Sequence, residues 1–341
     1  MAQAGVEIWV PSSDMAVVGL TEVVQRLRTI VRAARMMTSA LKERRPDLLI
    51  LIDYPEFNLY LARIARKCRV PVFYYISPQV WAWRRGRVKK IARRVDRMAV
   101  ILPFEERFFK ERGLDVVYVG HPLLDEVDSA LEHRTLTPHA PCPDDQDHAH
   151  HPIVGLLPGS REDEIRNLLP VMIQSMALLR PRYPHLGCIL PLARTIARDY
   201  MDGFIEGAPV PIEIVEGDVY GALARCHMAM VASGTATLDT AIMGIPMAVL
   251  YKVSPLSYWL GKRLIQVPFI SLVNLIAGEE VVPELIQEDV TPERLADEAI
   301  SLLEDETKRN TMVENLTRIR MDLGKGGAST RAASIAIEMM A

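Results

Sequence analysis

The sequence predicts an α/β protein built from two doubly wound, parallel-sheet domains that face each other across a cleft. Short apolar runs alternate with helix-like segments, which is typical of parallel sheets covered by helices. The alternation stops once near the middle of the chain and then resumes. The 341 residues are sufficient for two such domains, and ligands of such folds bind at the carboxyl ends of the strands.

The N-terminal domain is predicted to span residues 1–124. Its expected strands are buried apolar runs, which lie at 47–53, 71–76, 97–102 and 116–119. The expected helices lie between them, near residues 56–67, 83–95 and 104–112.

Residues 125–151 show no apolar periodicity and are rich in Pro, Asp and His, so we expect a linker there. The second domain is predicted to span residues 152–341 and to end in a helical tail from about residue 281. Its expected strands lie at 152–157, 185–190, 211–215, 227–232 and 246–250. The expected helices lie near 162–179, 194–205, 217–225 and 235–243.

Composition limits the classes of function. Hydrophobic residues make up 49% of the chain and charged residues 24%, which is typical of a globular protein. A net charge of −3 gives no general attraction to nucleic acid, so we expect no nucleic-acid partner. No apolar run reaches the roughly 18–20 residues of a membrane span, and no signal peptide is recognisable, so membrane association is expected to be peripheral. The four cysteines (68, 142, 188 and 226) form no CxxC pair and are interpreted as reduced thiols of a cytosolic protein.

Asp53 ends the first predicted strand, within the segment IDYPEFN at residues 52–58. A carboxylate at the carboxyl end of a strand is a candidate general base. Capping of the helix that follows is the alternative role, and the residues taken alone favour it.

The segment LPGSREDE, at residues 157–164, joins a predicted strand to a predicted helix. Free backbone N–H groups at a helix start favour an anionic ligand, and Arg161 could bind a phosphate in bidentate fashion. Ser160 and Asp163 fit a capping box. The alternative is an ordinary capped helix with a solvated arginine.

A second turn of this kind is ASGTATLD, at residues 232–239. Gly234 allows a ligand to approach the backbone, and the hydroxyls of Ser233, Thr235 and Thr237 could donate to phosphate oxygens. Asp239 could accept hydrogen bonds from ribose hydroxyls. Tight strand–helix packing is the alternative explanation, but two such turns in one domain favour a diphosphate ligand.

Two segments combine aromatic and basic residues. Trp81 and Trp83 precede seven basic residues between positions 84 and 94, which include Arg84 and Arg85. The second segment contains Trp259, Lys262 and Arg263. Such combinations suit a membrane interface or a phosphate-bearing lipid, whereas a solvated helix face or core packing is the alternative for each.

His121 follows a predicted strand in the sequence Gly120-His121-Pro122 and is a second catalytic candidate if it faces the cleft; a local hydrogen bond is the alternative. Five of the eight histidines lie between His133 and His151, near Cys142. Their spacing matches no regular metal site, so a solvated linker is favoured and no metal is expected.

Seven motifs occur in a characteristic order: IDYPEFN, YYISPQVWAWRRGRVKKI, LPFEERFF, YVGHPLLDE, LLPGSREDEI, ASGTATLD and SLVNLIAG. Together they resemble the lipid A disaccharide synthase family from about Met15 to the tail. The resemblance implies a GT-B fold and an inverting transfer without a cofactor or catalytic metal. It implies that 2,3-diacylglucosamine passes from its UDP ester to 2,3-diacylglucosamine 1-phosphate.

The resemblance also implies roles for individual residues. Asp53 matches the proposed catalytic base, Arg161 the arginine at the donor diphosphate, and Asn274 an asparagine near the donor site. Ser233, Gly234, Thr235 and Thr237 match the phosphate turn. Asp239 stands where the family often has Glu as ribose ligand, and its shorter side chain is a departure from the pattern.

The family resemblance further implies a cytoplasmic protein, peripheral on the inner membrane of Gram-negative bacteria. Family members can form dimers by exchange of C-terminal segments, so a homodimer is compatible with it. The sequence lacks the initial strand and GExSGD-like loop of the family, so we expect an N-terminal domain without its first strand. The alternatives are another UDP-hexosamine enzyme of the same fold, such as an epimerase or the peptidoglycan-precursor transferase, and an inactive remnant that binds acyl-glucosamine lipids.

Overall fold

A computed structural model describes residues 4–11, 20–83, 85–134 and 151–341 of the chain. Within them the fold contains two separate parallel β-sheets, each with helices against its faces, which confirms the predicted fold class. The greater part of the predicted linker, residues 135–150, lies outside the described residues.

The N-terminal sheet has four parallel strands in the order β1-β2-β3-β4. All four were predicted from their apolar runs, and they are β1 (Leu49–Ile52), β2 (Val72–Tyr75), β3 (Arg97–Val100) and β4 (Val116–Tyr118). Strand β1 lies at the edge of this sheet. Its residues Ile50 and Ile52 are 48% and 41% exposed, so one face of the edge strand presents apolar side chains to solvent.

The helices of the N-terminal half cover one face of this sheet. The α-helices of the N-terminal half are Leu20–Glu43, Pro55–Cys68, Val80–Trp83, Val88–Ala92 and Pro103–Lys110. Their apolar faces pack on one side of the sheet, where Tyr74, Met98 and Phe109 are fully buried. The helix Leu20–Glu43 has no counterpart in the sequence-based prediction.

The C-terminal sheet has six parallel strands in the order β10-β9-β8-β5-β6-β7. They are β5 (Ile153–Leu157), β6 (Gly187–Leu192), β7 (Ile212–Glu216), β8 (Met228–Ala232), β9 (Met247–Tyr251) and β10 (Glu284–Ile286). The first five were predicted, and β10 was not. The helices of this half are Glu162–Leu179, Arg198–Ile205, Val219–Leu223, Thr235–Ile242, Pro255–Leu264, Leu272–Ala277, Pro292–Glu304 and Glu306–Asp322.

Two further helices connect the halves in ways that the sequence did not indicate. Residues 123–134, assigned mostly to the linker, form the helix Leu123–Arg134, whose Leu124, Val127 and Leu131 belong to the core of the C-terminal half. The helix Ala328–Glu338 was predicted as part of the C-terminal domain. It packs on the second face of the N-terminal sheet through Ala332, Ile335 and Ala336.

Hydrogen bonds join the segment that follows β4 to the C-terminal part of the chain. The backbone N–H of His121, after β4, donates to the carbonyl of Leu323 at 3.1 Å. Arg331 donates through Nε and Nη2 to the carbonyl of Val119. Among the described residues, no helix is both long and apolar enough to cross a membrane.

Candidate functional site

A cavity of about 450 Å³ opens at the carboxyl edge of the C-terminal sheet. The turns that follow four of its strands line the cavity, because parallel strands bring their carboxyl ends to one edge. The lining comprises residues 157 and 159–161 at the end of β5, 191–194 at the end of β6, 217–219 after β7 and 232–236 at the end of β8, together with Glu164 and Asp239. Both turns that were predicted as phosphate sites therefore lie in one cavity.

The first turn places Gly159, Ser160 and Arg161 at the start of the helix Glu162–Leu179. The predicted capping box between Ser160 and Asp163 is not formed, because the helix begins only at Glu162. Asp163 instead pairs with Arg166 on the surface at 2.9 Å. The side chain of Arg161, which lines the cavity, is 58% exposed, so an anionic ligand can reach its guanidinium.

Glu164 approaches this turn from inside the first turn of the helix. One carboxylate oxygen accepts the backbone N–H of Ser160 at 3.0 Å, and the other accepts Nη1 of Arg161 at 3.1 Å. Gly159 has a φ of +112°, and a Cβ there would lie 2.8 Å from the Cβ of Glu164. The turn thus requires glycine at position 159, and Glu164 was not identified from the sequence.

The second turn places Ser233, Gly234 and Thr235 on the opposite wall. The hydroxyl of Thr237 is buried and donates to the carbonyl of Gly234 at 2.7 Å, so it stabilises the turn and does not line the cavity. The hydroxyl of Ser233 donates to the carbonyl of Ile270 at 3.3 Å. Gly234 and Thr235 are exposed in the cavity, and their backbone is accessible to a ligand.

Asp239 lies at the back of the cavity, where its carboxylate accepts the hydroxyl of Tyr220 at 3.0 Å. Burial raises the pKa of Asp239 to about 6, with a smaller contribution from Glu126, whereas the hydrogen bond from Tyr220 lowers it. Burial, followed by the charge of Asp239, raises the pKa of Tyr220. The pair is therefore a hydroxyl donor and a carboxylate acceptor, and the carboxylate retains lone pairs for sugar hydroxyls.

Asp53 lies at the carboxyl end of β1, on the other sheet, and is exposed. It does not cap the helix Pro55–Cys68, because the residue at the cap position is Tyr54 and no side chain caps this end. Asp53 and Tyr54 both have positive φ angles, of 46° and 43°. Among the described residues, no side chain forms a hydrogen bond or ion pair with the Asp53 carboxylate, which leaves it available to a substrate.

His121 is buried, with 5% of its surface exposed, and is not part of the cavity lining. Burial lowers the pKa of this imidazole to about 4, so it is neutral near pH 7. Its Nδ1 accepts the backbone N–H of Leu123 at 3.2 Å, which assigns the proton to Nε2. His121 therefore holds the turn after β4, in agreement with the local hydrogen bond considered from the sequence.

Asn274 is fully buried and does not line the cavity. Its amide donates to the carbonyl of Val282 and to Glu284, and its oxygen accepts the N–H groups of Val281 and Val282. Glu284 also accepts the N–H groups of residues 270 and 271. Asn274 thus braces the segment whose Ile270 carbonyl accepts the Ser233 hydroxyl, so its link to the cavity is indirect.

The two aromatic and basic segments meet at the junction of the halves. The N–H of Gln266, which follows the second segment, donates to the carbonyl of Ala82 in the first at 2.8 Å. Trp81 is buried, and its indole Nε1 donates to the buried Glu105 at 2.9 Å, whereas Trp83 is 38% exposed. Arg84 lies outside the described residues, and Arg85 begins a short 3₁₀ helix at Arg85–Arg87.

The second segment exposes an apolar strip. Trp259 is 51% exposed and Leu264 and Ile265 are 51% and 41% exposed. The guanidinium of Arg263 lies over the Trp259 ring, 3.9 Å from its centre, and Lys262 is exposed beside it. This surface combines apolar and cationic groups as the sequence indicated.

Within residues 4–11, 20–83, 85–134 and 151–341, no three His, Cys, Asp or Glu side chains are grouped as metal ligands. Most of the His-rich segment lies outside that part of the chain. His151, at its end, stacks on His185 with ring centres 4.4 Å apart.

Two parallel-sheet domains, the second with an anion-compatible cavity at the carboxyl edge of its sheet, place the chain in the GT-B fold class. Solved structures agree with this fold: UDP-GlcNAc 2-epimerase from Neisseria meningitidis bound to UDP-GlcNAc has a TM-score of 0.60 at 14% identity, covering 94% of this chain and 82% of that one. Acinetobacter baumannii MurG has a TM-score of 0.54 at 14% identity, covering 91% and 78%.

Sequence comparison narrows the class to one family. The family profile described as lipid-A-disaccharide synthetase matches residues 1–338. The lipid-A-disaccharide synthase of Syntrophus aciditrophicus is 46% identical, covering 99% of this chain and 87% of that protein. The Coxiella burnetii enzyme is 40% identical, covering 98% and 87%. The chain therefore belongs to the lipid-A-disaccharide synthetase family, as the sequence motifs indicated, and it is a glycosyltransferase of that type.

Proposed function

We propose that this chain transfers 2,3-diacylglucosamine from its UDP ester to 2,3-diacylglucosamine 1-phosphate, with inversion at the anomeric carbon. The products are a β-1,6-linked disaccharide 1-phosphate and UDP. The observation that carries the proposal is the pairing of a cavity containing Arg161 and two small-residue turns with a free carboxylate, Asp53, at the strand end of the other sheet.

The donor is assigned to the cavity of the C-terminal half. The diphosphate binds to Arg161 and to the backbone N–H groups of Ser160, Gly234 and Thr235. These groups stabilise the negative charge that develops on UDP as it departs. Asp239 accepts hydrogen bonds from the ribose. These protein groups supply the cationic and hydrogen-bonding stabilisation, and the proposal includes no metal or cofactor.

Asp53 acts as the general base. Its carboxylate takes the proton of the acceptor's 6-hydroxyl while that oxygen attacks the anomeric carbon from the face opposite UDP. Because attack and departure occur on opposite faces in a single displacement, the configuration inverts. The acceptor therefore lies between the carboxyl edge of the N-terminal sheet and the donor cavity.

The test uses the 341-residue chain with both acylated substrates, and it follows UDP release and the disaccharide by mass spectrometry. Asp53→Asn should lower kcat by about 10²- to 10⁴-fold with little change in donor affinity. Arg161→Ala should lower kcat by roughly 10²-fold or more and also weaken UDP binding. Arg166→Ala, an exposed arginine on the same helix, is the matched control and should retain activity.

Formation of a free sugar epimer without disaccharide would instead assign the chain to another UDP-hexosamine reaction. Binding of UDP without any turnover in the wild-type chain would indicate a binding protein in place of a transferase. Disaccharide production at equal rates by wild type and Asp53→Asn would exclude Asp53 as the base.

The acylated substrates also require access from a lipid surface, and we assign this contact to Trp83, Trp259, Leu264 and Ile265. Exposed apolar side chains beside Lys262 and Arg263 suit an anionic bilayer. Replacing Trp259 and Leu264 together by alanine should reduce co-flotation with phosphatidylglycerol vesicles. Met321→Ala removes an even more exposed apolar side chain elsewhere, at 69% exposure, and should leave flotation unchanged.

A further inference from the structure

The anion-binding turn of the cavity already holds an anion that belongs to the protein. The Glu164 carboxylate accepts the N–H of Ser160 through one oxygen and the guanidinium of Arg161 through the other, at 3.0 and 3.1 Å. It also lies against the Cα of Gly159, where a side chain would overlap it. The carboxylate therefore occupies the centre of the turn, and 27% of the Glu164 side chain is exposed.

The groups that Glu164 occupies are the same groups that a diphosphate requires. A backbone N–H has one hydrogen, so Ser160 cannot donate at full strength to a carboxylate and to a phosphate oxygen at once. The positive end of the dipole of the helix Glu162–Leu179 also attracts both the Glu164 carboxylate and a bound diphosphate. A carboxylate left beside a bound diphosphate would repel it, since like charges a few ångströms apart interact unfavourably.

We propose that Glu164 is a resident counter-anion of the donor site, which holds Arg161 and the Gly159–Ser160 turn in place in the free protein and is displaced by the donor diphosphate. This rests on the assignment of the cavity to a UDP-sugar donor. Glu164 is then a specificity-determining residue. It lowers the affinity for every anionic ligand of the turn, and only a ligand with enough charge and the correct position replaces it.

A charge-removing substitution separates competition from simple support of the turn. Glu164→Gln keeps the length of the side chain and an oxygen that can accept the Ser160 N–H, but it removes the negative charge. If Glu164 competes with the diphosphate, this variant binds UDP more tightly. The expected gain is about 2- to 10-fold in Kd, the range of a partly exposed ion pair.

Asp163→Asn is the matched control, because it removes one negative charge from the same helical turn. Asp163 pairs with Arg166 outside the cavity, and its side chain is 84% exposed. UDP affinity of the wild type, Glu164→Gln and Asp163→Asn is measured by titration calorimetry at low and high salt. Asp163→Asn should match the wild type, and the advantage of Glu164→Gln should shrink at high salt because screening weakens the repulsion.

Each result decides the proposal. Equal or weaker UDP binding by Glu164→Gln, with normal binding by the wild type, would show that Glu164 only supports the turn. An equal gain in Asp163→Asn, or a gain that is independent of salt, would also overturn the competition. Failure of the wild type to bind UDP would overturn the donor-site assignment itself, together with this inference.

Discussion

The side-chain amide of Asn58 donates to the backbone carbonyl of Asp53 at 2.6 Å, and also to that of Ile52 at 2.9 Å. The hydroxyl of Tyr74 donates to the same Asp53 carbonyl at 2.6 Å. Burial raises the pKa of Tyr74, so this hydroxyl stays protonated. These bonds restrain a turn whose two residues, Asp53 and Tyr54, have left-handed backbone angles that cost about 1–3 kcal/mol each.

Asn58→Ala should therefore impair catalysis without contacting a substrate. Loss of the restraint lets the Asp53 carboxylate move from its position, and small displacements of a catalytic group cost roughly 10-fold or more in kcat. The donor KM should stay near that of the wild type, because Asn58 does not line the donor cavity. Steady-state kinetics with varied donor concentration distinguish the two parameters.

Asn315→Ala is the control for Asn58→Ala, since the side chain of Asn315 accepts a hydrogen bond from an exposed arginine, Arg318. It should leave kcat and KM unchanged. Chemical denaturation should show Asn58→Ala destabilised by about 1–3 kcal/mol. A destabilised Asn58→Ala variant with full kcat would mean that Asn58 has a structural role alone.

Asp239→Asn should make the protein more stable at neutral pH than the wild type. The pKa of Asp239 is raised to about 6 from 3.8, mainly by burial, so the folded state binds more protons than the unfolded state between those values. The stability that this carboxyl provides below pH 4 is lost as the pH rises through 6. The asparagine variant avoids this loss, which amounts to about 3 kcal/mol.

Denaturant unfolding of both proteins at several pH values measures this difference. The variant should be about as stable as the wild type near pH 4 and more stable by a constant amount above pH 7. An unchanging difference across the whole range would contradict the raised pKa.

Gly159→Ala should weaken both stability and UDP binding. The substitution forces a side chain into a left-handed position, at a φ of +112°, and against Glu164, which costs about 1–3 kcal/mol. Gly187→Ala is the control, because no atom lies within 4 Å of a Cβ added there. Thermal unfolding and UDP titration are measured on both variants. If Gly159→Ala has the same Tm and UDP affinity as Gly187→Ala, glycine is not required at position 159.

Substitutions of Glu105 and Trp81 should have coupled effects on the free energy of unfolding. The Glu105 carboxylate is buried and accepts Trp81 Nε1 at 2.9 Å, the Ser77 hydroxyl at 2.6 Å and the Leu102 N–H at 3.1 Å. Burial raises its pKa, against these hydrogen bonds. A double-mutant cycle of Glu105→Gln and Trp81→Phe should give a coupling energy of about 1–2 kcal/mol. Trp259→Phe, on the surface, is the control, and its effect on the free energy of unfolding should simply add to that of Glu105→Gln.

The strands of both sheets were largely predictable, because buried parallel strands are continuous apolar runs such as DLLILID at residues 47–53. Strand β10 was missed because it has only three residues, including Glu284, and so carries no such run. The helix Leu123–Arg134 was missed because its acidic residues obscure the apolar positions 124, 127 and 131.

The site was predictable where a motif combines a strand end with small or charged residues, as for Arg161 and Gly234. The contacts that hold the site residues in place were not predictable. Glu164 reaches back to Ser160 across the start of the helix that begins at Glu162, and the buried amide of Asn274 donates to Glu284 of β10. These contacts depend on the residue at which the helix begins and on the packing of β10, and none of the sequence motifs specifies either.

The return of the helix Ala328–Glu338 to the first sheet has a consequence for biosynthesis. The N-terminal sheet emerges from the ribosome early, but the helix that buries Phe73, Ala99 and Val119 on its second face is made more than 200 residues later, as the separation of Val119 from Arg331 indicates. Vectorial synthesis therefore leaves that apolar face uncovered until the helix Ala328–Glu338 has been made. The nascent chain must hold half of its first domain open, accessible to chaperones, while the second domain folds.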